Sequence, residues 1–280
     1  MTIQRASCLG FCQGVRSALK KALDAREMAL GLSLDVYIYG SIVHNSRVQE
    51  AFSRLGIRTI SSAYGQKPGV VVIRAHGIAD SERKAFEDLG YVIVDATCPV
   101  VLHNQSLLRS ASDPLIIGSS MHDEVIALRG VAVNACVIER PEDLSMLSRD
   151  VEYSAVIQTT LSSSLLDEIK HVAVEKGLTI NYLNSICNAS LSRREAVRDL
   201  ASAVDAVVVV GDRTSANARQ LERLASSSGK MAYLVESGDE LPDEVFCYGR
   251  IGITSGASTP DSQLEDVEKA LEEGYARRNR

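Results

Sequence analysis

The sequence contains no apolar run long enough to cross a membrane. Its longest runs, such as Ala206–Val210, fall far short of the roughly 20 residues that a membrane helix needs. The chain also does not open with the basic and then apolar segments of a signal peptide. We therefore expect a cytoplasmic protein with no membrane partner.

Cysteine is scarce. Six cysteines among 280 residues are too few for the disulfide framework of a secreted domain. No CxxC pair occurs, whereas structural zinc sites commonly use such close pairs. In a reducing compartment the six cysteines are core residues, catalytic thiols or ligands of another metal centre.

An excess of positive charge is missing too. The chain has 30 basic and 36 acidic residues, a net charge of −6, which argues against a nucleic-acid partner but is compatible with a local anion pocket. Its hydrophobic content of 45% and charged content of 24% are ordinary for a globular protein. No linker or low-complexity segment interrupts it.

A strand that ends at a cysteine is the first informative feature. Tyr91–Val94 reads as a buried strand, Cys98 lies where the strand gives way to a loop, and Pro99 suits the first turn of a helix. A thiol between a strand end and a helix start lies where α/β proteins place their chemistry.

The same order of strands, polar loops and helices occurs three times along the chain. Cys98 follows Cys12 by 86 residues, and Cys187 follows Cys98 by 89 residues. We predict an α/β fold of three similar strand-helix units with pseudo-threefold symmetry around a central cluster. The units cover residues 13–97, residues 98–186, and residues 187–280 together with 1–12. Within the second unit, the apolar stretch Val131–Ile138 predicts a strand.

Three cysteines in equivalent positions indicate a metal cluster. Converging thiolates are good ligands for a 4Fe-4S cluster, in which Cys12, Cys98 and Cys187 would each bind one iron. The fourth iron would then lack a protein ligand and could act as a Lewis acid. A single cysteine is more often a packing residue, and this is the role expected of Cys8, Cys136 and Cys247.

Polar residues occupy the loops that follow the strands. Each has a structural explanation by itself, because such residues commonly cap helices. Together, donors at several helix starts would bind a strongly anionic group such as a diphosphate. Glu124 has an ordinary place in the first turn of a helix, but a carboxyl with a raised pKa in a dry pocket would be a proton donor. The other candidates are His44, His76, His122, Thr159, Thr160, Ser215, Asn217 and Ser258.

Short motifs over nearly the whole chain carry a family resemblance. They are GFCQGV at 10–15, IVHN at 42–45, AHG at 75–77, DATCP at 95–99, HDEV at 122–125, QTTLS at 158–162, IC at 186–187 and TSGAS at 254–258. In content and order they resemble the 4-hydroxy-3-methylbut-2-enyl diphosphate (HMBPP) reductase family, iron-sulfur enzymes of the non-mevalonate isoprenoid pathway.

The resemblance implies a reductive dehydration of HMBPP to isopentenyl and dimethylallyl diphosphate. It implies that Cys12, Cys98 and Cys187 hold a 4Fe-4S cluster with one open iron, and that a ferredoxin or flavodoxin type donor supplies electrons. Glu124, with Thr159 or Thr160, would act at the substrate hydroxyl. The residues implied to bind the diphosphate are His44, His76, His122, Ser215, Asn217 and Ser258.

The chain departs from the family pattern at a few positions. Asp123, Ile126 and Ala127 stand where the family has HPEVxG, Ala216 replaces one of two paired serines, and Asn188 replaces a tyrosine after the third cysteine. These changes leave open a divergent paralogue acting on another diphosphate. A non-catalytic iron-sulfur sensor and a cluster-free phosphate-binding α/β module also remain open.

Overall fold

The computed structural model describes residues 2–278, in which parallel strands alternate with helices. The strands are β1 (Thr2–Arg5), β2 (Val36–Tyr39), β3 (Arg58–Ile60), β4 (Val70–Ile73), β5 (Val92–Asp95), β6 (Pro114–Ile117), β7 (Cys136–Ile138), β8 (Glu152–Ile157), β9 (Thr179–Tyr182), β10 (Ala206–Val210), β11 (Met231–Val235) and β12 (Arg250–Ser255). The helices are α1 (Gln13–Leu32), α2 (Ser46–Arg54), α3 (Asp80–Asp88), α4 (Pro99–Arg109), α5 (Asp123–Val131), α6 (Ser163–Glu175), α7 (Asn188–Ala203), α8 (Ala216–Ser227) and α9 (Asp261–Arg278). Short 3-10 helices lie at Pro141–Met146, Gly238–Glu240 and Asp243–Cys247.

The twelve strands form three four-stranded sheets with one common topology. Sheet I has the order β3-β2-β4-β5, sheet II has β7-β6-β8-β9, and sheet III has β11-β10-β12-β1. All pairs are parallel. The prediction of an α/β fold with three similar strand-helix units is confirmed, and the N-terminal strand β1 lies at the edge of sheet III.

Buried β-branched runs explain the central strands. All residues of β4 and β10 are inaccessible to solvent, as expected for parallel strands with both faces covered. In sheet III, one face packs against α7 and α8 and the other against α9. The register of sheet II brings Ile117 beside Ile157, so the polar loops that follow β6 and β8 start next to each other.

The chain divides into two compact units. The smaller unit comprises the chain up to Val15, His44–Gln49 and the chain from Asn188 onward, and contains sheet III. The larger unit comprises Arg16–Val43 and Glu50–Cys187, and contains sheets I and II. Among the described helices, none combines the length and apolar character that a membrane span requires.

The predicted strand Val131–Ile138 is wrong over most of its length. Val131 is the last residue of α5, and only Cys136–Ile138 pairs with β6. Val133 lies in the turn between them with 92% of its surface exposed. The apolar run therefore crosses a helix end and a turn, which apolar character alone does not reveal.

Candidate functional site

Each of the three equivalent cysteines directly precedes a helix. Cys12 comes before α1, Cys98 before α4 and Cys187 before α7. The backbone N–H of each donates to a carbonyl in the loop that follows the third strand of a sheet. These bonds are Cys12 to Ala257 at 3.1 Å, Cys98 to Ala75 at 3.0 Å and Cys187 to Thr159 at 3.1 Å.

The thiols are in a state that suits metal binding. None of the three is part of a disulfide, and all are partly buried. The thiolate is the form of cysteine that binds metals. Soft thiolate ligands without a close cysteine pair fit an iron-sulfur cluster better than a structural zinc site. Each of the three thiols is therefore of a chemical type that can bind an iron-sulfur cluster.

Glu124 is a buried acid at the second residue of α5. Only 1% of its surface is exposed. The Thr159 hydroxyl donates to one carboxylate oxygen at 2.6 Å, and the Thr159 backbone N–H donates to the other at 3.0 Å. Burial raises the pKa of Glu124 to about 7, although the bonds from Thr159 act in the opposite direction. The carboxyl can therefore both release and take up a proton near neutral pH.

Two histidines lie beside this acid in the larger unit. His122 caps α5, and its Nδ1 accepts from the Glu124 backbone N–H at 3.2 Å. That bond leaves the proton of a neutral imidazole on Nε2, where it can be donated. The rings of His76 and His122 meet edge to face, with their centroids 5.8 Å apart.

Thr160 is held differently from Thr159. Its hydroxyl accepts from the Gln158 side chain at 2.8 Å, and Gln158 in turn accepts from the Ser119 N–H at 2.9 Å. Gly118 makes this possible, because a Cβ there would lie 2.7 Å from Gln158. Thr159, in contrast, is joined directly to Glu124 through both its hydroxyl and its backbone N–H.

The smaller unit contains the other polar candidates. Ser215 caps α8 by accepting from the Ala218 N–H. Ser258 donates to the His44 carbonyl at 2.9 Å. Asn217 is 6% exposed, and its Nδ2 has no hydrogen-bond partner among residues 2–278. A buried donor without an acceptor is costly, so Asn217 is suited to receiving an external one.

Several polar residues that are buried or partly buried were not predicted from the sequence. Asp212 accepts from Thr214 and from the Ser46 N–H, and these bonds outweigh burial and hold its pKa below the ordinary value. Asn104 and Asn184 hydrogen bond to each other at 3.0 Å. An aspartate or asparagine before a turn often accepts hydrogen bonds from the backbone that follows it, so the sequence around Asp212 could have predicted its role. The contact between Asn104 and Asn184 joins distant residues and leaves no local sequence pattern.

These features define a class of protein: an α/β protein of three similar parallel sheets, with a cysteine thiol at the start of three of its helices and a buried acid of raised pKa. The family model described as LytB protein matches residues 3–272. The chain therefore belongs to the LytB family, and the resemblance found in its motifs is confirmed.

The curated relatives and solved structures agree with each other. The 4-hydroxy-3-methylbut-2-enyl diphosphate reductase of Solidesulfovibrio magneticus is 37% identical, over 97% of this chain and 99% of its own. That of Treponema denticola is 33% identical, over 98% of this chain and 100% of its own. The structure of the E-1-hydroxy-2-methyl-but-2-enyl-4-diphosphate reductase from Plasmodium falciparum has a TM-score of 0.88 at 25% identity, covering 95% of this chain and 86% of that one.

A second solved structure is described as (E)-4-hydroxy-3-methyl-but-2-enyl diphosphate reductase, the terminal enzyme of the non-mevalonate pathway. It has a TM-score of 0.71 at 31% identity and covers 98% of this chain and all of the other. Each of these relatives is a reductase, so the comparisons give no support to a sensor or to a simple phosphate-binding module.

Proposed function

We propose that this chain is an HMBPP reductase. The reaction consumes HMBPP, two electrons and two protons and yields water with isopentenyl or dimethylallyl diphosphate. The observation that carries the proposal is the threefold placement of Cys12, Cys98 and Cys187, each before a helix and each bonded through its N–H to the loop after the third strand of a sheet.

The same three cysteines are the ligands that we propose for a 4Fe-4S cluster. When bound, such a cluster supplies electrons and one Lewis-acidic iron without a protein ligand. The remaining thiols have other surroundings: Cys8 and Cys136 are partly buried and pack against apolar clusters, and Cys247 lies in a 3-10 helix and is exposed. A ferredoxin or flavodoxin type protein is the proposed electron donor, and the cytoplasmic location stays a prediction.

Glu124 is the proposed acid for the leaving hydroxyl. Near neutral pH its carboxyl is partly protonated, because burial raises its pKa to about 7. Proton transfer to the substrate oxygen allows water, rather than hydroxide, to depart. Thr159 then stabilises the resulting carboxylate with its hydroxyl and its N–H. Thr160, held by Gln158, is proposed to orient the substrate nearby.

The diphosphate is the proposed partner of the polar loops. Its ligands would be donors at strand ends and helix starts, where an anion is favoured by both free N–H groups and the helix dipole. Asn217 supports this role most directly, since its buried Nδ2 has no acceptor in the described chain. The full proposed set is His44, His76, His122, Ser215, Asn217 and Ser258.

The departures at α5 leave the acid in place. Asp123 starts the helix, His122 caps it and Glu124 remains in its first turn. Asp123 also pairs with Arg74 at 2.8 Å, which links the helix start to the strand end before His76. We therefore favour HMBPP over another diphosphate as the substrate.

Anaerobic reconstitution and turnover test the proposal. Wild-type protein should bind roughly four irons per chain and convert HMBPP with a chemical reductant. Cys98→Ser should lose both iron and activity, whereas Cys136→Ser, the matched control from sheet II, should keep both. A wild-type protein that holds a full cluster but never reduces HMBPP would contradict the proposed function.

A further inference from the structure

The orientation of the Asn184 side chain is fixed by one backbone residue. Its Oδ1 accepts from the Ile157 N–H at 2.7 Å, and its Nδ2 donates to the Ile157 carbonyl at 2.9 Å. A backbone N–H can only donate and a carbonyl can only accept. If the Asn184 amide were flipped, its NH2 group would face the Ile157 N–H and its oxygen would face the Ile157 carbonyl. Neither pair can form a hydrogen bond, so the positions of Oδ1 and Nδ2 are unambiguous.

The orientation of Asn104 follows from that of Asn184. The second hydrogen of Asn184 Nδ2 is donated to Asn104 Oδ1 at 3.0 Å. Because Oδ1 of Asn104 is engaged there, its Nδ2 must point to the other side. Asn104 is fully buried in α4, where a misplaced polar group would be costly.

Glu124 lies on that other side. Helices α4 and α5 pack together, and the Asn104 amide is near enough to the Glu124 carboxyl to lower its pKa. Asn104 Nδ2 nevertheless has no well-formed hydrogen bond to any described residue. Two buried groups of complementary chemistry therefore stand close together, and one of them has an unused donor.

We propose that Asn104, oriented by Asn184, is a positioning residue that donates its amide N–H to the Glu124 carboxylate after the proton has left. The proposal rests on the function proposed above, in which Glu124 is the acid. Thr159 supplies two donors to this carboxylate, and Asn104 would add a third from the opposite helix. The hydrogen bond between Asn184 and Asn104 would also link the loop before Cys187 to Glu124.

Substitution of Asn104 by leucine tests the proposal, since leucine has the same branched shape and lacks the amide. Loss of one neutral donor should raise the titration midpoint of Glu124 by about 0.5 to 1 pH unit. The midpoint is read by infrared spectroscopy of the iron-loaded protein, from the carboxyl band that Glu124→Gln removes. The fall of kcat on the basic side should move to higher pH by the same amount, with KM within about 2-fold of wild type.

Gln105→Leu is the matched control. Gln105 is a buried amide in the same helix, but it donates to the Ile78 carbonyl at 3.2 Å. It should leave the midpoint unchanged. Other titratable groups around the carboxyl are His122 and Asp123 on its own helix, with His76 and Arg74 on the neighbouring strand end and the exposed His103 on α4. Neither variant alters any of them.

Asn184→Asp provides a second test that does not require Asn104→Leu to fold. It keeps the acceptor for the Ile157 N–H but removes the donor to the Ile157 carbonyl and to Asn104. The Asn104 amide can then turn its oxygen towards Glu124 and raise the midpoint. The negative charge by itself would raise the midpoint equally in the wild-type and Asn104→Leu backgrounds. The rise should therefore shrink in the double variant; an equal rise in both backgrounds would overturn the orienting role.

The outcomes separate this proposal from the function on which it rests. An unchanged infrared midpoint in Asn104→Leu would overturn the role of Asn104 even if HMBPP is reduced normally. A shifted midpoint in a protein that does not reduce HMBPP would retain the Asn104–Glu124 contact and reject the reaction.

Discussion

In sheet II, strand β6 is followed by helix α5, and in sheet III, strand β10 is followed by helix α8. Each of these two helices has a buried polar residue at its second position. In sheet II this residue is Glu124, and in sheet III it is Asn217. Glu124 receives two hydrogen bonds from Thr159, whereas Asn217 Nδ2 has no partner in the described chain. Under the proposed function, the same backbone position would hold the proton donor in sheet II and a ligand of the diphosphate in sheet III.

The largest effect is expected from removing the proton of Glu124. Glu124→Gln keeps the shape and one acceptor oxygen for Thr159, but its Nε2 cannot accept a hydrogen bond and the side chain cannot donate an acidic proton. We expect kcat to fall by about 10²- to 10⁴-fold with iron content unchanged. Anaerobic turnover of HMBPP measures this, and a rate equal to wild type would exclude Glu124 as the acid.

The same substitution should stabilise the fold at alkaline pH. The pKa of Glu124 is raised from 4.5 to about 7 by burial, so the folded protein holds this proton more tightly than the unfolded chain. The contribution of Glu124 to stability is full below pH 4.5 and is lost as the pH rises through 7. At pH 8, Glu124→Gln should therefore be more stable than wild type, by up to about 3 kcal/mol.

Urea unfolding under anaerobic conditions checks this prediction across the pH range, with variants of equal iron content. The difference between Glu124→Gln and wild type should vanish towards pH 4.5. A difference that stays constant with pH would show that it comes from packing and not from the proton.

For Asn217, we expect substitution to weaken substrate binding and to leave the stability of the substrate-free protein unchanged. Asn217→Leu removes a buried donor that has no protein partner in the described chain, so the substrate-free protein should keep its stability while KM for HMBPP rises. A hydrogen bond to a charged group contributes about 1.5 to 3 kcal/mol, which corresponds to a rise of about 10- to 100-fold. Steady-state kinetics and thermal unfolding without substrate measure the two effects.

Asn45 is the matched control for Asn217. It is also a buried amide at a helix start, but its Nδ2 donates to Gln263 at 2.9 Å and its Oδ1 accepts from the Val48 N–H at 3.1 Å. Asn45→Leu should therefore destabilise the substrate-free protein by about 1 to 3 kcal/mol. If both leucine variants destabilise it equally, Asn217 is a structural residue and not a prepared ligand.

Repetition explains why so much was predictable from the sequence. The strand ends, the glycines after the first strands and the cysteines before the helices recur in order, and each is a local signal. The Asn184–Asn104 contact joins residues 80 positions apart and has no local pattern. The raised pKa of Glu124 depends on burial by packed helices, which residue type alone does not specify.

The smallest effect on stability is expected at Asp123, the residue just before Glu124. The corresponding residue before Asn217 is Ala216. Asp123 precedes Glu124 and pairs with Arg74, with side chains 21% and 13% exposed, whereas Ala216 precedes Asn217 and has no charge to pair. Asp123→Asn should cost about 1 kcal/mol or less, because the pair is only partly buried. Asp123→Pro should fold as well as Asp123→Asn, since proline is favoured at the first helical position.

Kinetics of these two variants decide whether the ion pair positions the acid. If it only stabilises the helix start, both variants should keep kcat within about 3-fold of wild type, and added salt should narrow their stability difference from it. A much larger loss of kcat in Asp123→Asn, recovered in Asp123→Pro, would instead show that a fixed helix start is what Glu124 requires. The first residue of α5 would then have to be held in a fixed conformation, whereas Ala216 at the start of α8 has no ion pair to hold it.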